Sequence, residues 1–141
     1  MWRVVLDNAV LTSALLNPHG PAARLLDYAY EGRLRVFASD RMLSLERRVL
    51  REPTLSSSHG LSAREVRAVV RDLPVLLCLV PDSVRGRPAR GTMATELLEC
   101  ASSSHADFLV TSMNLSAHEV KQGGTQVVKA DQLVRLVGHG M

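Results

Sequence analysis

The sequence predicts an α/β fold, a three-layer α/β/α sandwich around a mostly parallel sheet of four to five strands. Three observations predict it. Short apolar runs alternate with stretches whose apolar residues recur at helical spacing. Glycine and proline punctuate the boundaries between them. Strands that alternate with helices need crossover connections, which cover both faces of a parallel sheet. The 141-residue length suits one domain spanning residues 1–141.

The elements follow in order. Arg3-Val4-Val5-Leu6-Asp7 reads as a buried strand closed by an acid. Val10, Leu11, Ala14 and Leu15 mark a helix over residues 8–16, and Asn17-Pro18-His19-Gly20-Pro21 breaks it. A second helix places Ala22, Leu25, Leu26 and Ala29 on one face and stops at Gly32. Residues 34–39 form the second strand. A third helix from about Asp40 to Arg51 carries Met42, Leu43, Val49 and Leu50 on its apolar face. Ser62 opens the next helix with a capping box to Glu65. The continuous apolar run of residues 75–80 predicts a fully buried strand. A helix from about Met93 to Ser102, a strand over 108–110, a strand over 126–128 and a final helix around Leu133 to Val137 complete the chain. No internal repeat is present.

Composition excludes several classes. Hydrophobic residues make up 46% and charged residues 22%, which excludes a disordered chain. Cys78 and Cys100 are the only cysteines, too few for a disulfide scaffold, so both are expected reduced. No apolar run reaches the roughly 18 residues of a membrane span, and no leader pattern is visible at the start. The expectation is a cytoplasmic protein with no membrane partner. The net charge is +3, and Lys121 and Lys129 are the only lysines, so arginine supplies nearly all the positive charge. Two sources remain open for this bias: a GC-rich genome, or an arginine surface for phosphate or carboxylate. The five histidines are scattered without zinc spacing. Aromatic content is 4%, so base stacking is poorly provided, and nucleic-acid binding would rest on arginine–phosphate contacts.

In a parallel α/β fold the ligand crevice lies at the carboxyl ends of the strands. That edge holds Asp7, Ser39, Pro81-Asp82 and Thr111-Ser112. Here the residues resemble a known family. Val4-Val5-Leu6-Asp7 followed by Val10-Leu11-Thr12-Ser13-Ala14-Leu15-Leu16 resembles the opening of the PIN domain, most of all the toxin–antitoxin type. Gly20-Pro21-Ala22-Ala23-Arg24-Leu25-Leu26-Asp27, Gly32-Arg33-Leu34-Arg35-Val36, Val49-Leu50-Arg51-Glu52-Pro53 and Ala106-Asp107-Phe108-Leu109-Val110-Thr111 continue the likeness in order.

The resemblance implies a Mg²⁺- or Mn²⁺-dependent ribonuclease whose carboxylates converge at the strand ends and hold the ions that activate water. Residue by residue, Asp7 stands at the first aspartate. The family's third-helix glutamate falls on Leu45, with Glu46 one place later. Its aspartates at the start of the fifth helix fall on Met93, Ala94 and Thr95, with Glu96 next and Glu99 one turn on. The glycine and aspartate after strand four become Ser112-Met113, followed by Asn114. Arg85, Arg87 and Arg90 occupy a stretch that is acidic in the family.

An active protein would use Asp7, Glu46 and Glu96 in catalysis and Asp7, Glu46, Glu96 and Glu99 for Mg²⁺ or Mn²⁺, with Asn8, Ser112 and Asn114 lining the cleft. Without activity no cofactor is implied. Arg85, Arg87 and Arg90 are the candidate nucleic-acid contacts. Asp7 is equally placed to cap the following helix. Glu46 falls within the apolar stripe of its helix, so its carboxyl must be paired, protonated or at a cleft edge. It is either a displaced family glutamate or half of an ion pair with an arginine.

Three functions compete. The preferred one is a PIN-like protein with a degenerate acidic site that binds RNA or a protein, such as an antitoxin or another PIN subunit. The alternative is an active endoribonuclease toxin with a rearranged site. The third is an oligomerisation scaffold. The resemblance also implies a homodimer.

Overall fold

A computed structural model describes residues 1–51, 62–80, 93–112 and 124–138. Five strands run in the order β3-β2-β1-β4-β5, and every pairing is parallel. They are β1 (Trp2–Leu6), β2 (Leu34–Ser39), β3 (Cys78–Val80), β4 (Phe108–Val110) and β5 (Gln126–Val128). The helices are α1 (Asn8–Leu16), α2 (Pro21–Tyr30), α3 (Asp40–Leu50), α4 (Ala63–Leu76), α5 (Met93–Ser104) and α6 (Ala130–Gly138).

Strand order and handedness sort the helices into layers. Parallel crossovers are right-handed. The chain moves from β1 to β2 to β3 in one direction and returns from β3 to β4 in the other, so α1–α4 cover one face and α5 the opposite one. The packing agrees: α5 lies against β1, β2, β3 and β4, while α1 packs on α2 and α3, and α6 packs on α2. Between these layers sit Val4, Val5, Leu25, Leu97, Leu109, Val110 and Leu133, all fully buried. Each such side chain contributes on the order of 1.5–3 kcal/mol by leaving water.

Three arginines hold the scaffold. The Arg3 side chain donates Nε–H to the Ser104 carbonyl at 2.7 Å, and its guanidinium lies 4.5 Å from the Phe37 ring centroid. Arg24 and Arg33 both stack on buried Tyr28, and Arg33 donates to the Val137 carbonyl at 3.0 Å, tying α2 to the end of α6.

The apolar run of residues 75–80 is not a buried strand. Val75 and Leu76 form the last turn of α4, and only Cys78–Val80 pair, with Phe37, Ala38 and Ser39. An apolar run alone cannot separate strand from helix. Here the Ser62–Glu65 capping box starts a helix that continues through Pro74 and closes with the Leu77 N–H on the Leu73 carbonyl at 3.0 Å. What remains of the run is an edge strand. Leu79 is therefore 44% exposed and Cys78 only half-buried. The fifth helix also runs two residues further than predicted, to Ser104.

Two helices end in the same left-handed cap with different residues. At the end of α2, Gly32 takes φ +80° while Arg33 N–H reaches the Tyr28 carbonyl and Gly32 N–H the Ala29 carbonyl. At the end of α5, His105 takes φ +53°, and Ala106 N–H reaches the Ala101 carbonyl. A Cβ is disfavoured in this conformation. Gly32→Ala should therefore destabilise the fold by about 1 kcal/mol and His105→Gly should stabilise it by a similar amount. Urea unfolding of both variants checks the opposite signs.

Candidate functional site

A reversal of winding direction creates the crevice. The crossovers diverge between β1 and β4, the two neighbours from which the chain winds to opposite edges. Ligands of open α/β sheets sit beyond the strand carboxyl ends at such a junction. Asp7 and Thr111 are the first residues past those two strands. Asp7 N–H donates to the Val110 carbonyl and Thr111 N–H to the Val128 carbonyl, both at 3.1 Å, so the strand pairing holds the two residues side by side.

Asp7 is 4% exposed and engaged at both carboxylate oxygens. Its Oδ1 accepts the Val10 N–H at 2.8 Å and caps α1. Its Oδ2 accepts the Thr111 hydroxyl. One carboxylate thus joins β1, the start of α1 and the end of β4.

Beside it a second carboxyl is locked between two helices. Asn8 and Thr12 lie one turn apart on α1, as Met42 and Glu46 do on α3. Asn8 Nδ2 donates to the Met42 carbonyl and to Glu46 Oε1, each at 3.0 Å. Thr12 Oγ1 lies 2.5 Å from Glu46 Oε2 and 2.8 Å from the Asn8 carbonyl. Glu46 is fully buried, with 0% exposure. Among the described residues its partners are an amide and a hydroxyl, not an arginine.

Burial pushes the Glu46 carboxyl above the usual carboxylate range. The Thr12 and Asn8 hydrogen bonds pull it down, and the nearby Asp7 charge pushes it up. Proton counting points the same way as burial. A hydroxyl has one hydrogen, and Thr12 faces two acceptors. A protonated Glu46 supplies the second hydrogen, donating to Thr12 while Thr12 donates to the Asn8 carbonyl. The Asn8 amide is settled on its nitrogen side, but its buried Oδ1 has no hydrogen-bond partner among the described residues. Turning the amide over would set that oxygen against the Met42 carbonyl and the Glu46 carboxyl, so the orientation is fixed by its neighbours.

The other predicted site residues fall in three groups. Glu99 lies half-buried on α5, and among the described residues it forms no three-membered group with Asp7 and Glu46. Ser112 is exposed just beyond Thr111 at the crevice. Arg85, Arg87, Arg90 and Asn114 lie outside the described residues, as does the side chain of Glu96, whose backbone belongs to α5. Thr12 and Thr111 were missed as functional partners in the sequence. Thr12 could have been found from its place one turn after Asn8. The pairing of Thr111 with Asp7 needed the strand order.

The comparisons bear on this geometry. A family model described as PIN domain matches residues 3–112. The chain belongs to the PIN-domain family. PIN domains are usually nucleases and commonly use Mg²⁺ or Mn²⁺. The crystal structure of PAE2754 from Pyrobaculum aerophilum is similar to this PIN domain with a TM-score of 0.56 at 12% identity, covering 98% of this chain and 90% of that one. At that identity the likeness establishes the fold alone. No curated protein matches the sequence. Among the described residues, no helix of this PIN domain is long and apolar enough to cross a membrane.

The protonation of Glu46 has a measurable sign. A carboxyl raised in the folded state favours folding when protonated, so stability falls as pH climbs upward from about 4, where the unfolded carboxyl begins to ionise. Glu46→Gln keeps one donor toward Thr12 and one acceptor for Asn8. It should remove that slope and match or exceed the wild type at neutral pH. Urea unfolding of both proteins across a pH series checks this, and a variant that loses most stability at neutral pH would show an ionised Glu46.

Proposed function

We propose that this PIN domain acts by binding RNA and does not carry out metal-dependent hydrolysis. One observation carries the reading: all four carboxyl oxygens of Asp7 and Glu46 take part in hydrogen bonds within the protein. The two acids form the links of a folded network.

Mg²⁺ requires a near-ideal octahedral shell of oxygen ligands, and a two-ion centre needs several carboxylates to hold it. Among the described residues no three histidine, cysteine, aspartate or glutamate side chains are grouped for a metal. Asn8 Oδ1 adds one neutral oxygen to Asp7 and Glu46, and Glu46 is sealed from solvent. This donor set does not fit a two-ion centre.

Binding remains open to the protein on electrostatic grounds. Arginine carries nearly all its positive charge, and the guanidinium fork matches phosphate oxygens. Arg85, Arg87 and Arg90, at positions where the resemblance implies acids, are the proposed phosphate contacts. The same reading places the protein in the cytoplasm as a homodimer of the toxin–antitoxin type, where an antitoxin or a second PIN subunit would be its protein partner.

The convergence of Asp7 and Glu46 favours one competing reading, an active endoribonuclease completed by Glu96. A single experiment separates the two. The protein is incubated with mixed-sequence RNA in Mn²⁺, Mg²⁺ or EDTA. The expected result is intact RNA in all three, and no shift of the melting temperature with Mn²⁺. Cleavage that needs metal and disappears in Asp7→Asn, a variant that retains the helix cap, would overturn the proposal.

A further inference from the structure

The arginines of the described residues divide by what they do. Arg3, Arg24 and Arg33 hold the scaffold. Arg135 pairs with Asp131 on α6. The arginines of α4 are different. Arg64, Arg67 and Arg71 are all exposed on α4. Their spacing of three and then four residues sets them within an arc of about 60°, with about 4.5 and 6 Å of axial rise between them. Like charges so placed repel one another. Asp72 meets Arg71 in an exposed contact of 3.4 Å, which solvent screens. Packed against α4, α3 adds exposed Arg48, and exposed Arg51 follows its last residue. Among the described residues Arg48, Arg51, Arg64 and Arg67 form no ion pair.

We propose that the α4 row of Arg64, Arg67 and Arg71, extended by Arg48 of α3 and by Arg51 just beyond it, is a second contact surface for the phosphate backbone of RNA. It rests on the reading that RNA is the partner, and it adds residues that take no part in the Asp7–Glu46 network. Nucleic-acid surfaces are polar and strongly positive, whereas protein interfaces centre on an apolar core depleted of charge. Among the described side chains of α4 the arginine row shows no such core: Ala68 is half-buried between its members, and the one large exposed apolar side chain, Val75, lies beyond Arg71. A repeating polyanion matches a repeating row of cations. Guanidinium groups give each contact a bidentate geometry that ammonium groups lack.

The test measures fluorescence anisotropy of a labelled single-stranded RNA of mixed sequence with the full chain across a salt series. Removing three phosphate contacts should lower the log–log salt slope by about two. The combined variant Arg64→Gln, Arg67→Gln and Arg71→Gln should show that loss and bind at least about tenfold more weakly in low salt. Three substitutions to lysine should retain the slope. Removing charge elsewhere, with Arg35→Gln and Arg135→Gln, should leave the slope within one of the wild type. Circular dichroism confirms that each variant is folded, as expected for exposed positions. If the wild type binds RNA and the glutamine variant binds equally with the same slope, the surface is wrong and the RNA reading stands. If the wild type binds no RNA, or prefers polyglutamate to RNA, both fall.

Discussion

The carboxylate of Asp7 is the joint on which the molecule turns. It accepts a backbone N–H that starts α1 and a hydroxyl that marks the end of β4, while its own N–H continues the pairing of β1 with β4. Sheet register, helix start and crevice floor meet in one residue. Asn8, next in sequence, carries the linkage across to α3 through Met42 and Glu46. A charge so deeply buried is costly unless hydrogen bonds replace its water. Here the fold supplies them from elements far apart in the chain, so local and long-range order depend on each other.

That arrangement ties the shape of the crevice to the two acids. In this chain Glu46 also has a packing role, since it fills the space between α1 and α3 and neutral partners satisfy it. Residues at such positions hold the crevice in shape for a binder as well as for an enzyme.

Much of this was legible before any coordinates. The burial of Glu46 followed from its position between Met42, Leu43, Val49 and Leu50, and Asp7 announced itself by closing an apolar strand and preceding a helix. The strands over 108–110 and 126–128 were placed to the residue. Two kinds of information were not local. Which strand lies beside β1 is a property of the whole chain, so Thr111 could not be matched to Asp7 from spacing. The run at residues 75–80 divided between helix and edge strand because the neighbouring cap and the short partner strand decided it, not its own hydropathy.

The position of β1 has a consequence for synthesis. Trp2–Leu6 is synthesised well before the strand beside it, for Val4, Val5 and Leu6 take Phe108, Leu109 and Val110 as one set of neighbours. Until those residues emerge, one edge of the first strand lies open and the Asp7 carboxylate has no Thr111 to hold. Parallel pairing over such sequence separations is slow to form. The nascent chain therefore carries an unfinished apolar strand until residues 108–110 emerge, an interval in which it is exposed to misassociation.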